Sequence, residues 1–295
     1  MTQPSDTVTS VAVLGLGIMG SALARHLVAD GFDVRGFDPD HVAAQRARDS
    51  GVQVASTVLE AVQDVACILT SLPSESALVS TINALTNHPS DQKAKAVLVE
   101  LSTLSIAAKL EARDRLIDCG FDMLDCPVSG TGAQAQTKDI VLYASGEEEP
   151  FKSCQPVFDA VARESFFLGK FGNGTRMKFI ANLLVAVHNV ASAEALALAT
   201  KAGLDPQQVF DVISSGAGAS RILELRGPMM VEENYSPPSM KLDVWQKDMK
   251  LIHDFAEQMG ALTPLFDATR PVYESANQLG LGEQDTAAVF EVLKR

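Results

Sequence analysis

The chain has 295 residues, 46% of them hydrophobic and 21% charged, enough apolar material for one large domain or two. A formal net charge of −13 excludes the basic footprint that nucleic acid requires and disfavours anionic membrane surfaces. Cys67, Cys119, Cys126 and Cys154 form no C-x-x-C pair and have no histidine spacing suited to zinc, so reduced thiols and no metal are expected. The opening stretch Met1–Ser10 is polar, without an apolar signal core, and no uninterrupted apolar run spans a bilayer, so a cytoplasmic protein is expected.

Val11-Ala12-Val13-Leu14 predicts a short buried strand, followed at once by Gly15-Leu16-Gly17-Ile18-Met19-Gly20 and a helical pattern through Leu27. Gly31 ends that helix, and Phe32–Phe37 predicts a second strand closed by Asp38. Each glycine has a physical task in such a turn. Gly15 permits the tight reversal, Gly17 lets a pyrophosphate approach the backbone, and Gly20 lets the helix pack close to the strand. The free N–H groups and dipole at the helix start favour an anion. Asp38 lies about 20 residues beyond the glycines, where a carboxylate accepts from a ribose 2′-OH and repels a 2′-phosphate. The stretch therefore predicts dinucleotide binding, with NAD favoured over NADP; Arg35 is the nearby residue that would accept a phosphate instead.

Further on, helices are predicted over about 40–50, capped by Asp40, over 75–86 and over 106–116. They alternate with apolar strands at Val52–Ala55, Val65–Thr70, Ala96–Glu100 and Phe121–Asp125. Ile140–Gly146 and Ser165–Leu168 are read as further strands closing the same sheet, with a helix between them over about 150–163. The alternation predicts a doubly wound parallel sheet, an α/β Rossmann domain, in which ligands bind beyond the carboxyl ends of the strands. Gly15–Gly20, Asp38, Leu72-Pro73 and Ser102-Thr103 fall on that edge. Thr103 either donates to a ligand or caps the helix that follows.

From Gly174 the pattern becomes long and helical, running to about Ala202, and the segments after it (about 205–216, 220–231, 239–260, 265–280 and 283–294) are also helical. An NAD-binding domain over 1–170 and an all-α domain over 171–295, begun by a long interdomain helix, are expected. That helix is apolar nearly all round, which suits a helix enclosed by its domain and packed on another subunit, so a homodimer or higher homo-oligomer is expected.

A redox cofactor needs a partner that moves a hydroxyl proton. Lys178 is the candidate: it sits in the first turns of the long helix, just after the Gly169–Gly174 linker, with Asn182 one turn along on the same face. An amine takes a proton from an alcohol, or returns one to a carbonyl oxygen, and burial beside a cation favours the neutral form that a base requires. A solvated lysine near a helix start is the plainer alternative. Ser129-Gly130-Thr131-Gly132 offers backbone N–H groups and two hydroxyls as a carboxylate cradle, or is an ordinary glycine turn. Lys247-Asp248 reads as an ion pair on a wet helical face.

Taken together, GLGIMG, DCPVSGTGAQA at Asp125–Ala135, GNGTRMKFIAN at Gly172–Asn182 and the Lys247-Asp248 helix, in that order, resemble the β-hydroxyacid dehydrogenases, the group containing 3-hydroxyisobutyrate, tartronate-semialdehyde and threonate enzymes. The resemblance spans about Val11 to Leu293. It implies NAD(P)-dependent hydride transfer between a small anionic 3-hydroxy acid and its semialdehyde or keto acid. It also implies Lys178 as the acid/base with Asn182 as its partner, and Ser129, Gly130 and Thr131 as ligands of the substrate carboxylate. Thr103 and Lys247 become cofactor contacts beside Gly15, Leu16, Gly17, Ile18, Met19, Gly20, Leu72 and Pro73. The chain departs from the family pattern at Thr131, where a glycine is usual, at Ala181, where an asparagine is usual, and around Met240 and Trp245, so the far end of the substrate is left open. An imine reductase, or a non-catalytic dinucleotide-binding protein, on the same scaffold is the alternative; the retained Lys178 and Asn182 argue against both.

Overall fold

The structure is a computed structural model that describes residues 9–87 and 96–295. Its contacts divide the chain into two compact units, one through Lys178 and one from Phe179. The sequence expectation put the division at residue 170.

The first unit alternates β1 (Ser10–Leu14), α1 (Ile18–Ala29), β2 (Asp33–Phe37), α2 (His41–Asp49), β3 (Gln53–Val54), α3 (Val58–Ala61), β4 (Cys67–Thr70), α4 (Glu75–Thr86), β5 (Val97–Glu100), α5 (Ile106–Asp118) and β6 (Asp122–Asp125). These six strands form one parallel sheet in the order β3-β2-β1-β4-β5-β6. Successive side chains of a strand point to opposite faces, and the sheet is buried on both. Val11, Val13, Cys67, Leu69, Val97 and Val99 enter one apolar cluster, while Ala12, Leu14, Ile68 and Leu98 enter the other. Each fully buried Leu or Ile contributes about 1.5–3 kcal/mol. The reversal of order at β1 puts the switch point where the glycine turn leaves the sheet.

The remaining strands do not extend this sheet. β7 (Val128–Ser129), β8 (Val141–Ala144) and β9 (Glu164–Phe167) make a separate three-stranded sheet, with β7 antiparallel to β8, and carry α6 (Gly132–Gln136) and α7 (Glu148–Val161). Ser165–Leu168 therefore closes a second sheet, not the first. The break falls after Cys126, where Pro127 has no N–H to donate to a ladder and the chain restarts as β7.

Helix α8 (Asn173–Lys201) runs without interruption through the division between the units. By length and composition it would suffice to cross a membrane. It is nevertheless built as a core helix: Ala186, Ala193 and Leu196 are fully buried, and buried Asn189 donates to Tyr273 Oη (3.0 Å) and the Thr286 carbonyl (2.9 Å). The second unit continues with α9 (Pro206–Ser214), α10 (Arg221–Val231), α11 (Leu242–Met259), α12 (Pro264–Gln278) and, after a 3-10 turn at Thr286–Val289, α13 (Phe290–Leu293). Leu242, Trp245, Ile252, Phe266, Tyr273 and Phe290 form its buried interior.

Candidate active site

The turn after β1 is built as its glycines require. Gly15 has φ +90°, and a Cβ there would lie 2.2 Å from the Ser71 carbonyl oxygen; a Cβ on Gly20 would lie 1.9 Å from the Gly15 carbonyl oxygen. Gly17 has no atom within 4 Å of its Cβ position, so its backbone is open to a ligand. Gly17 is the N-cap of α1 and has no side chain to cap it, and the first turn holds no acidic residue. The first N–H groups of the helix are left for an anion to satisfy. Ile18 is 70% exposed and Leu16 is buried.

Asp38 follows β2 and reaches back to the same turn. One carboxylate oxygen accepts from the Leu16 N–H (2.7 Å) and the other from the Asp40 N–H (2.8 Å). Asp40 in turn caps α2. Arg35 donates to the Gln63 carbonyl, so its guanidinium is already engaged. This set fits a nicotinamide dinucleotide: an open glycine turn, an uncapped helix start and a fixed carboxylate at the end of β2.

Two more segments on this strand edge carry residues singled out from the sequence. The Leu72 N–H donates to Ser102 Oγ (2.8 Å), joining the turn after β4 to the turn after β5; Pro73 is exposed beside it. Thr103 is partly buried, and the residue that caps α5 is Ser105, whose hydroxyl accepts from the Ala108 N–H. The capping alternative for Thr103 therefore does not hold.

Ser129 lies in β7, Gly130 has φ +139°, and a Cβ at Gly130 would lie 2.7 Å from Ile140. Thr131 caps α6 in a reciprocal box with Gln134. Its hydroxyl is thus engaged locally, and its departure from the family's glycine has a structural reason.

Lys178 lies in the second turn of α8 and is only 8% exposed, which removes the solvated-lysine alternative. The start of α8 is held by groups of its own unit: the Gly174 N–H donates to Ser145 Oγ (2.9 Å) and the Thr175 N–H to Asp125 (2.8 Å). Gly174 admits no side chain, because a Cβ would lie 2.1 Å from the Tyr143 carbonyl oxygen.

In the helical unit, Asn182 is 5% exposed and donates to Asp248 Oδ2 (3.0 Å), while Lys247 is exposed with its amine 3.7 Å from Asp248 Oδ1. Asp248 was read as half of a wet ion pair and is instead buried. The signal was present in its spacing, since Leu242, Trp245, Asp248, Met249 and Ile252 form one buried stripe of α11. A carboxylate there needs a partner, and Asn182 supplies one.

The same residues match known proteins along their length. Residues 10–169 match the family described as the NAD binding domain of 6-phosphogluconate dehydrogenase, and residues 172–293 the family described as NAD-binding of NADP-dependent 3-hydroxyisobutyrate dehydrogenase. The chain is similar to the L-threonate dehydrogenase of Pectobacterium atrosepticum, 32% identical over 96% of this chain and 93% of the relative. It is also similar to a solved Mycobacterium tuberculosis 3-hydroxyisobutyrate dehydrogenase with L-serine, at TM-score 0.87 and 28% identity, covering 98% of this chain and 100% of the other. An imine reductase from Pseudomonas sp. superposes at TM-score 0.67 with 21% identity over 97% and 100% of the two chains, a likeness of fold alone.

Proposed function

The chain belongs to the β-hydroxyacid dehydrogenase family of NAD(P)-dependent oxidoreductases acting on small hydroxy acids, and we propose that it interconverts a 3-hydroxy acid and its semialdehyde or keto acid with Lys178 as general acid/base. The observation that carries this reading is the burial of Lys178, an amine with little access to water, on a helix whose start is fixed from below. A nicotinamide dinucleotide, when bound, supplies the hydride acceptor or donor. Lys178 Nζ takes the hydroxyl proton in oxidation and returns it to the carbonyl oxygen in reduction. Asn182, held by Asp248, orients that amine and the substrate oxygen. Ser129, Gly130 and Thr131 hold the carboxylate in this reading, Thr131 by giving up to it the N–H that donates to Gln134 Oε1 (3.0 Å) in the capping box. Gly15–Gly20, Asp38, Leu72, Pro73, Thr103 and Lys247 hold the cofactor.

NAD is the preferred form in this reading. Asp38 is locked to the glycine turn, Asp40 stands two residues on, and Arg35 Nη1 donates to the Gln63 carbonyl, so a 2′-phosphate would meet carboxylates first. Residues 1–170 form the NAD-binding domain, which also holds the substrate carboxylate, and 171–295 form the all-α domain that serves substrate chemistry and subunit association. A cytoplasmic homodimer completes the proposal; Leu198, Leu204 and Val212, between 55% and 70% exposed, line one apolar groove suited to a second copy of this chain.

A screen of cofactor reduction over 3-hydroxyisobutyrate, glycerate, threonate and serine, with NAD and then NADP, tests the reading. It expects NADH formation with at least one acid and a kcat/KM at least tenfold lower with NADP. Tight NAD binding with no turnover on any acid would favour a binding protein, and faster reduction of a cyclic imine than of any semialdehyde would favour an imine reductase.

A further inference from the structure

Glu100 ends β5 and Asp125 ends β6, and the parallel register sets them opposite each other. Neighbouring strands lie about 4.8 Å apart, so two fully buried carboxylates stand side by side. Between them is Lys109 of α5, also fully buried. Its ammonium donates to Asp125 Oδ1 (2.8 Å) and the Ser102 carbonyl oxygen (2.7 Å) and pairs in charge with Glu100 Oε2 at 2.6 Å. Burial opposes the ammonium charge, but the Asp125 and Glu100 carboxylates outweigh it and hold the Lys109 pKa above the usual lysine range.

Two acids and one base leave a net negative charge in an apolar interior. Hydrogen-bond donors answer it. The Ser102 N–H donates to Glu100 Oε1 (3.0 Å) and Ser145 Oγ to Asp125 Oδ2 (3.2 Å). Thr175 donates twice to Asp125, through its N–H to Oδ2 (2.8 Å) and its hydroxyl to Oδ1 (2.6 Å). Those two bonds place a carboxylate at the positive end of the α8 dipole, where the free N–H groups of a 29-residue helix need acceptors. Ser102 carries the connection onward, since its hydroxyl accepts from the Leu72 N–H.

An apolar replacement would stabilise a core as well as a buried ion cluster does. What the cluster adds is fixed geometry, and its arms end at Leu72, at Ser102 beside Thr103, at Asp125 ahead of Ser129, and at Thr175, three residues before Lys178. We propose that Lys109, Asp125 and Thr175 are positioning residues that set where the Lys178 amine stands relative to the strand-edge turns. The proposal rests on the reading of Lys178 as acid/base.

Lys109→Met would strand two buried carboxylates and endanger folding, so Thr175 is the cleaner probe. Thr175→Val keeps the shape and the backbone bond but removes the 2.6 Å hydroxyl bond to Asp125; Thr175→Ser restores the hydroxyl. Both are assayed beside Lys178→Ala for kcat, KM, NADH affinity by fluorescence and melting temperature. The expected result is a fall in kcat of tenfold or more in Thr175→Val, with NADH affinity within threefold of wild type and melting lowered by only a few degrees, and recovery of both in Thr175→Ser. Wild-type kcat in Thr175→Val beside an inactive Lys178→Ala would overturn the positioning proposal and leave Lys178 its role. A parallel fall of kcat, NADH affinity and melting temperature, unrescued by serine, would make Thr175 a packing residue and also overturn it. Full activity in Lys178→Ala would instead remove the acid/base reading itself, and the network's purpose with it.

Discussion

Asp38 carries the argument for NAD because its two oxygens are held by the Leu16 and Asp40 N–H groups, which fixes negative charge at the end of β2. Asp38→Asn keeps the shape and removes the charge. A charge-assisted hydrogen bond exceeds a neutral one by about 1–1.5 kcal/mol. Measured kcat/KM with NAD is therefore expected to fall about tenfold while that with NADP rises; an unchanged ratio would move cofactor choice elsewhere. Lys109 gives a prediction in pH. Its folded pKa is raised, so its contribution to stability is complete below the unfolded value of about 10.4 and is lost as pH rises through the folded one. Urea midpoints of the wild type between pH 8 and 11.5 should fall on the alkaline side; a flat profile would contradict it. Asp38 and Lys178 stand out in the sequence because each lies at a telling distance from a glycine run. Lys109 and Asp248 do not. Each is a charged residue on the apolar stripe of its helix, where sequence reading assigns solvent, and its partner comes from another element through strand register or helix packing.

The β1 turn is the element on which cofactor binding depends. Gly20→Val would push a side chain into the Gly15 carbonyl, now 1.9 Å from the Cβ position, and the turn would have to open. NADH affinity measured by titration should fall at least a hundredfold; retention within threefold would show that the turn does not bind the cofactor. Most elements were legible where periodicity and caps agreed: the helix expected over 75–86 is α4, Glu75–Thr86, opened by Ser74. The failures have local causes. Pro127 splits the eight predicted strands between two sheets. The glycine-rich run after it hides a two-residue strand and a short helix, with Thr131 as cap. The single helix expected over 283–294 begins as a 3-10 turn, because Asp285 caps at Ala287 and is held by Arg226 and Ser239.

On the scale of the whole molecule, a net charge of −13 acts against an anionic acid and an anionic cofactor alike. Salt screens that repulsion, the screening length shrinking to about 10 Å at 0.1 M. The value of kcat/KM should therefore rise between 20 and roughly 200 mM salt; a fall would mean that local cations govern the encounter. In the sequence, strand periodicity gives way to helical periodicity near Gly174, and no break in pattern marks Lys178–Phe179 inside the continuous α8. The account as a whole depends on Lys178 moving a proton. The direct measurement is steady-state turnover of Lys178→Ala on the best acid from the screen, with NAD affinity measured by calorimetry on the same protein. General acid/base catalysis is worth about 10²–10⁴ in rate, so a fall of that size at unchanged NAD affinity is expected. Turnover within threefold of wild type would contradict the account.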